Sequence, residues 1–275
     1  MVGPEPRLML AAFAVLAALA GAAPAARAAD LYFSGGLGIS AATGDIDGSN
    51  DLGITSSDSD DDSSPVYGGA VGISFPLSEL MPWRMRIPSF DVPYFPGRSL
   101  HFAGSEDFRF PGWRTQFEIE AQTGRDYELI TEGPSPLTAK IANVSSSSFM
   151  TNFRLDFPIQ APLHVFFGRL PFLEPVTIYG GTGIGASLNE IEATDTALGS
   201  DDDTSFTFAY QASTGIGYAL TDQIHLSLGY RYYDLGELET SFGAGTTGRL
   251  SADVVAHEFT SGLAVHFYRL PFLGE

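Results

Sequence analysis

The stretch LSADVVAHEFTSGLAVHFYRLPF, residues 250–272, decides the fold. Apolar residues in it alternate with small or polar ones. Phe259, Leu263, Val265 and Phe267 lie on one side, and Glu258, Thr260, Gly262 and Ala264 lie on the other. A period of two with one apolar face and one small or polar face is typical of a strand in a closed membrane barrel, whose apolar face contacts lipid. The sequence therefore predicts an all-β, closed antiparallel transmembrane barrel.

Residues 1–28 have the composition of a secretory signal. Arg7 precedes an apolar run over 8–20, and Ala26-Arg27-Ala28 supplies the small residues of a cleavage site. The run is shorter than the roughly 20 residues of a membrane-spanning helix, and no basic cluster follows it. A single membrane anchor is the alternative. We predict a cleaved signal peptide and one barrel domain over 29–275, exported to a Gram-negative outer membrane.

Composition restricts the partners. The formal net charge is −19, and cysteine is absent, so no disulfide stabilises the exported chain. Nucleic acid binding is disfavoured, because phosphates are bound by Lys and Arg. We predict no cofactor and a monomeric protein. The expected partners are outer-membrane lipids and lipopolysaccharide, with divalent cations shared at the acidic loops.

Eight segments alternate in this way, each near the roughly 9–11 residues of a tilted membrane strand. With both termini in the periplasm, the long acidic connections after the first, third, fifth and seventh strands face outward. We expect the first outer loop (43–64) and the segment 78–111 to be the least regular parts. Pairing part of 85–110 as two further strands is the alternative, which gives ten strands. The predicted strands lie near 31–42, 65–77, 112–123, 147–158, 175–189, 204–220, 223–234 and 252–267.

Two Pro-rich segments, 78–111 and 158–174, lie on the periplasmic side in this topology. The pentapeptide RLPFL occurs at 169–173 and again at 269–273. Arg beside Pro, Phe and Leu suits a segment resting at the inner-leaflet interface, and an ordinary linker is the alternative. YFSGGLGIS near the start is similar to IYGGTGIGAS at 178–187, through either duplication of a four-strand unit or convergence.

Charged side chains occupy the predicted inward faces of four strands, opposite strands whose inward positions are mostly glycine. An eight-strand barrel is just wide enough to be filled by side chains, and buried charges must be paired. We predict a polar network that plugs the interior, with Arg231 and Glu258 on adjacent strands as a pair. A narrow polar channel is the alternative. The network comprises Arg114, Glu118, Glu120, Arg154, Asp156, Arg231 and Glu258.

A cation site is a separate hypothesis. Asp45, Asp47 and Asp51 are closely spaced oxygen ligands around a glycine, a pattern that suits Ca²⁺, although the bidentate Glu of an EF-hand loop is absent. A solvated acidic loop is the alternative reading of this segment.

Catalysis is a further hypothesis. His225 and Ser227, followed by Glu237 or Glu239, resemble the His, Ser and Glu that lipid A deacylases use for acyl transfer. However, Leu228 stands where that family has Asn. The predicted register also turns His225 and Ser227 inward, at the periplasmic end of their strand. We therefore predict that the chain is not an enzyme.

Three short motifs carry a family resemblance. LGYRYYDLGELE (228–239), AHEFTSGLAVHFY (256–268) and LYFSGGLGIS (31–40) resemble the small outer-membrane barrels of the OmpA/opacity-protein type in the porin family. The resemblance covers about residues 30–275 and implies a role in surface interaction or membrane integrity. A small channel and a lipid A-modifying enzyme are the alternatives. That family usually ends in an aromatic residue, whereas Gly274-Glu275 ends this chain, so Phe267 or Phe272 would have to serve.

Overall fold

A computed structural model describes most of the chain after residue 28. The described residues are 29–50, 55–77, 85–87, 89–95, 98–102, 105–108, 112–129, 139–160, 170–195, 199–242 and 248–267. The predicted signal peptide and the second RLPFL copy lie outside them. No helix in these ranges is both long and apolar enough to cross a membrane.

Twelve strands are present in the described residues, and eight of them form one closed antiparallel barrel. The barrel order is β1-β12-β11-β10-β9-β8-β7-β2, with β2 pairing β1 to complete the circle. The predicted eight-strand barrel is confirmed, and the ten-strand alternative is wrong. The strands are β1 (Asp30–Asn50), β2 (Thr55–Pro76), β3 (Met85–Ile87), β4 (Phe90–Phe95), β5 (Arg98–Phe102), β6 (Ser105–Phe108), β7 (Arg114–Tyr127), β8 (Ala139–Pro158), β9 (Val176–Asp195), β10 (Gly199–Ala219), β11 (Ile224–Phe242) and β12 (Gly248–Phe267).

The barrel has two unlike ends. We call the end that holds Asp30 and Phe267 the terminal end, and the opposite end, where β1, β7, β9 and β11 turn back, the hairpin end. At the terminal end, two long connections join β2 to β7 and β8 to β9. There β10 and β11 are joined by the short bend at residues 220–223. In that bend the Thr221 hydroxyl accepts hydrogen bonds from the backbone N–H groups of Gln223 and Ile224.

Most barrel strands are 4 to 9 residues longer than the segments that the alternating pattern predicts. Seven of them have 19 to 22 residues, so each rises on the order of 50 Å along a tilted barrel, whereas the apolar band of such barrels is about 25 Å tall. The expectation of an irregular first loop is wrong for its described part, because 43–50 and 55–64 continue β1 and β2. Backbone pairing on both sides of β1 explains this: Asp45 lies opposite both Ser59 and Asp253.

The outer surface of the terminal half is apolar and bounded by aromatic side chains. At the terminal end, the rings of Trp113 and Phe157 lie 4.5 Å apart, and those of Phe33 and Phe267 lie 5.7 Å apart. Toward the hairpin end, the Tyr230 hydroxyl lies 2.6 Å from the His257 Nδ1. Such girdles mark the two interfaces of a membrane barrel. Exposed apolar residues between them include Leu37, Ile39, Ile178, Ile184, Ile216, Leu226, Leu228, Phe259 and Leu263.

The connections at the terminal end contain small local elements. Within 78–111, β3 pairs with β6 and β4 pairs with β5, so the described part is a nested hairpin outside the barrel and more regular than expected. Residues Pro171–Leu173, the end of the first RLPFL copy, form a single 3₁₀ turn before β9. The barrel strands are therefore eight, and the extra strands do not widen the lumen.

Candidate functional site

Two glycines in the strands divide the barrel interior into halves. Gly124 in β7 has a φ of +96°, and Gly236 in β11 has a φ of +78°, values that side chains other than glycine rarely adopt. At each glycine the pairing with the neighbouring strand shifts by an extra residue, which forms a β-bulge. An extra residue reverses the alternation of a strand, so positions beyond the bulge that would face lipid face inward instead.

Arg125 is the first residue turned inward by the β7 bulge, and it is fully buried together with Glu258. Its Nε lies 2.7 Å from Glu258 Oε1, and neither side chain is exposed to solvent. Arg125 also donates to the Ser148 hydroxyl at 3.0 Å and to the side-chain Oε1 of Gln122, and its guanidinium lies 4.2 Å from the Tyr233 ring centroid. The guanidinium is thus held on several sides, as a buried charge requires.

The Arg231 side chain extends across the lumen to β7, and its shortest ion pair is not with the adjacent strand β12. Its Nη2 donates 3.1 Å to Glu120 Oε1, although β11 and β7 lie on opposite sides of the barrel. Glu120 also accepts from Asn152 at 2.7 Å and from Gln122 at 2.5 Å. The side-chain amide of Gln211 donates to Asn152 and, at 3.4 Å, to Glu120. This amide-rich layer crosses the lumen from wall to wall.

The terminal half of the lumen holds two further ion pairs. Arg114 Nη2 lies 2.5 Å from Asp30 Oδ2, and Arg154 Nε lies 2.8 Å from Asp156 Oδ1. The Arg154 guanidinium also covers the Tyr179 ring at 3.7 Å, which is a cation–π distance. The Arg114 side chain is 32 % exposed, so this layer is the rim through which solvent reaches the lumen.

Glycines on the inner wall give tyrosines room to lie flat. A Cβ at Gly72 would come within 2.6 Å of the Tyr32 ring, and a Cβ at Gly229 would lie 2.0 Å from the Tyr179 hydroxyl. Tyr32 also donates 2.8 Å to Glu118 Oε2 and stacks on His266 with centroids 5.0 Å apart. Between these side chains a cavity of about 200 Å³ extends from the terminal rim to the Arg231 layer.

The hairpin half of the lumen is filled by apolar side chains, which we call the apolar septum. Its members are each no more than 2 % exposed and form one contiguous cluster with several alanines. One wall also holds a satisfied polar chain, in which Ser146, Ser187, Asn189 and Thr207 are hydrogen bonded in series and Thr207 donates to a backbone carbonyl. The septum consists of Tyr127, Leu129, Val144, Met150, Ile191, Tyr233, Leu235, Leu238 and Val254.

All seven residues predicted for the interior network face the lumen, and the predicted Arg231–Glu258 pair is present but is not the shortest contact of either residue. Arg231 and Glu258 lie directly opposite each other on β11 and β12, with Nη1 and Oε2 3.7 Å apart. Each has a shorter contact elsewhere, Arg231 with Glu120 and Glu258 with Arg125. Sequence reasoning missed Arg125 because strict alternation assigns it to the outer loop. The available signal was Gly124, since an isolated glycine inside a strand pattern indicates a bulge.

The residues of the catalytic hypothesis do not come together. His225 and Ser227 face the lumen near the terminal end of β11, as predicted, and the His225 ring lies 4.5 Å from that of His266. Glu237 is exposed on the same strand but beyond the bulge, on the order of 30 Å or more away at about 3.3 Å per residue. No carboxylate of this set can therefore orient His225.

The acidic segment of β1 forms an extended strand instead of a metal-binding loop. Asp45 and Asp47 are both exposed on one face of β1, and Asp51 lies outside the described residues. Within the described residues no group of three or more His, Asp or Glu is arranged to hold a metal. The extended backbone is the reason, because a Ca²⁺ loop must curve its oxygens around the ion.

An acidic row crosses three adjacent strands on the outer surface. Asp45 of β1 lies directly opposite Asp253 of β12, which in turn lies directly opposite Glu237 of β11, and all three are exposed. Glu192 and Asp202 form a second such pair across β9 and β10. Like charges directly opposite each other destabilise a sheet. Beyond the apolar belt the surface therefore concentrates negative charge at a stability cost.

Acidic side chains surround most of the barrel at this level. Seven of the eight barrel strands carry at least one on the outer face beyond the apolar belt, and only β8 does not. We call this group the acidic collar. It consists of Asp45, Asp61, Asp126, Glu190, Glu192, Asp202, Asp234, Glu237 and Asp253.

The chain is similar to solved barrel structures over most of its length and to a curated protein over a short stretch. Neisserial surface protein A is 16% identical, with 84% of this chain and 97% of that chain covered and a TM-score of 0.34. The outer membrane protein OprG from Pseudomonas aeruginosa is 12% identical, with 88% and 97% covered and a TM-score of 0.41. An uncharacterized protein of Brucella abortus is 42% identical over 72 residues, which are 23% of this chain and 25% of that protein.

A family profile covers more than half of the chain. The profile of the outer membrane protein beta-barrel domain matches residues 111–267, which span β7 to the end of β12 and so include six of the eight barrel strands. This match agrees with the closed barrel and with its aromatic-bounded apolar belt. The chain therefore belongs to the outer membrane protein beta-barrel family, whose members are located in the outer membrane of Gram-negative bacteria.

Proposed function

We propose that this chain is a closed, non-catalytic barrel that acts through its outer surface, where the acidic collar binds lipopolysaccharide by sharing divalent cations with the lipid phosphates. The observation that carries the proposal is the row of Asp45, Asp253 and Glu237. Three carboxylates in line repel one another unless cations lie between them and a second anionic partner. The phosphates of the outer leaflet supply that partner at the level where the apolar belt ends.

The filled lumen supports a surface role over transport. The apolar septum spans the hairpin half with side chains no more than 2 % exposed, and the Arg125–Glu258 layer lies directly below it. Ions crossing this path would have to displace packed apolar groups and a desolvated ion pair, both of which are costly. Planar-bilayer recording of the purified protein should therefore give no stable unitary currents.

A small channel is the second candidate, and the solvent-accessible cavity of the terminal half favours it. Reproducible unitary currents that disappear when the septum is enlarged by Ala256→Leu would support the channel and overturn the closed barrel. Ala256 is fully buried in the septum cluster, so the added volume would fall in the lumen.

The cation-sharing proposal is tested by thermal unfolding in lipid vesicles. Mg²⁺ should raise the unfolding midpoint in vesicles that contain lipopolysaccharide and should have little effect in phosphatidylcholine vesicles. The triple variant Asp45→Asn, Asp253→Asn, Glu237→Gln should lose most of the Mg²⁺ response. A double variant at the terminal end, Asp222→Asn with Glu174→Gln, serves as the control and should respond like the natural chain. An equal Mg²⁺ response in the triple variant would contradict the proposal.

A further inference from the structure

The charges in the terminal half of the lumen do not balance. Four arginines face five carboxylates below the apolar septum, and each arginine has a carboxylate within 3.1 Å. The carboxylate that remains among the described residues is Glu118. The four ion pairs are Arg114–Asp30, Arg125–Glu258, Arg154–Asp156 and Arg231–Glu120.

Glu118 is held only by neutral donors. The Tyr32 hydroxyl donates 2.8 Å to its Oε2, and the Asn152 amide donates 3.0 Å to its Oε1. An ionised carboxylate can accept about four hydrogen bonds, so roughly half of the acceptor capacity of Glu118 is open. The carboxylate lines the cavity of about 200 Å³, which extends to the terminal rim.

A second acceptor lies in the wall of the same cavity. Gln211 is 4 % exposed, and its Oε1 is buried with no hydrogen-bond donor among the described residues. Its amide nitrogen is already used by Asn152 and Glu120, which fixes the orientation of the side chain. Among the other buried atoms without a hydrogen-bond partner, Arg231 Nη1 and Glu258 Oε2 face each other at 3.7 Å, and Arg231 Nε is an open donor of the same wall. A ligand that reaches Glu118 and Gln211 Oε1 must donate hydrogen bonds and carry positive charge, since both groups are acceptors and one is anionic.

Size and ligand chemistry narrow the class. A volume of about 200 Å³ is below the roughly 300–1,000 Å³ of pockets for drug-sized ligands, so the ligand is small. The absence, within the described ranges, of three clustered His, Asp or Glu ligands disfavours a divalent metal. Hydroxyl groups of Thr177, Ser213 and Ser227 also line the cavity and suit a polar organic molecule.

We propose that the terminal half of the lumen is a binding site for a small primary ammonium compound, with Glu118 as its counter-ion and Gln211 Oε1 as a second acceptor. The site opens at the terminal end, the periplasmic side in the topology expected from the sequence, and is closed at the Arg231 layer. It is independent of the acidic collar, which lies on the outer surface at the other end. Arg231 does not neutralise Glu118, because its guanidinium is directed to Glu120 and Glu258.

The test is an NMR titration of the full barrel in micelles, with ¹³C label in the glutamate carboxyl groups and ethylammonium chloride as the probe. Sodium chloride at equal concentration controls for ionic strength. One glutamate resonance should shift in a saturable manner, and that resonance should be missing from the Glu118→Gln spectrum. Tetraethylammonium, which has no N–H donor, should bind at least tenfold more weakly.

Three variants complete the test. Glu118→Gln should weaken ethylammonium binding at least tenfold, as judged from the remaining cavity resonances, and Glu118→Asp should bind with intermediate affinity because it keeps the charge. Glu174→Gln removes an exposed carboxylate that does not line the cavity and should bind like the natural chain. The proposal is overturned if the natural chain shows no saturable shift, or if tetraethylammonium binds equally well. Unchanged binding by a folded Glu118→Gln would overturn it as well.

Discussion

The terminal half and the hairpin half of the lumen are filled by opposite kinds of side chain. Around the terminal cavity the inward residues are arginines, carboxylates and amides, whereas in the septum they are Leu, Ile, Val, Tyr and Ala with almost no exposure. An apolar filling needs only matching volumes, and a polar filling needs a partner for every charge. We propose on this basis that the septum closes the barrel and that the polar half is the part that binds a ligand.

The largest effect is expected at the boundary between the two halves, from Arg125→Met. Loss of the guanidinium leaves Glu258 buried without its shortest partner, and breaking a buried ion pair on one side costs about 3–5 kcal/mol. Urea unfolding in lipid vesicles measures the change in the free energy of unfolding. The double variant Arg125→Met, Glu258→Leu should be more stable than the sum of the two single losses predicts.

Arg231→Met is the matched control for that prediction. Glu120 keeps three amide donors when Arg231 is removed, from Gln122, Asn152 and Gln211, so its loss should be smaller. Equal losses in the free energy of unfolding for the two arginine variants would show that the Arg125–Glu258 pair contributes no more to stability than the Arg231–Glu120 pair.

The next effect concerns packing in the septum. Leu235→Ala leaves a cavity among fully buried side chains and should lower the free energy of unfolding by about 2–5 kcal/mol. Leu228 on the same strand is 67% exposed on the lipid-facing side, so Leu228→Ala should cost clearly less. The same urea titration compares the two variants. A similar loss for both would contradict a tightly packed septum.

A smaller effect is expected at the bulge that separates the halves. Gly124 has a φ of +96°, and a Cβ there would lie 2.5 Å from the Tyr67 ring. Gly124→Ala should therefore destabilise the barrel by about 1–2 kcal/mol, the typical cost of a left-handed conformation for a non-glycine residue. Gly35→Ala is the control, since the nearest atom to its Cβ would be 3.9 Å away. If Gly35→Ala is the more damaging change, the bulge does not determine the register of β7.

No effect is expected from substitutions that test the enzyme hypothesis. Ser227→Ala and His225→Ala should leave the lipid A composition of cells unchanged, because no carboxylate of the proposed set reaches His225. Mass spectrometry of lipid A from cells with the natural gene, without it and with each variant makes the comparison. A lipid A species that depends on Ser227 would show that the polar half is catalytic.

The lipid-facing part of the outer surface could be predicted from the sequence. The lipid-facing residues of β12, such as Phe259 and Leu263, follow strict alternation, because one face of every strand meets the same apolar solvent. The inward positions of Arg114, Glu118 and Glu258 followed from the same rule. The ends of the strands were less predictable. Beyond the apolar belt the strands are paired by backbone hydrogen bonds, which form without any alternation of apolar and polar side chains.

The interior partners could not be predicted in the same way. Arg231 and Glu120 lie on opposite strands, and their contact depends on the width of a barrel whose walls carry glycine. Arg125 faces inward only because of the bulge at Gly124, and that glycine is the single sign of the bulge in the sequence.

The sequence by itself thus determined the closed barrel, its eight strands and its lipid-facing side, because a period of two reports directly which face meets lipid. Only the tertiary structure decided where that period reverses and which charges meet across the lumen. Closing the barrel brings distant strands within the reach of one side chain, and a bulge exchanges the faces of everything beyond it. The apolar septum and the unpaired Glu118 both arise from those long-range effects.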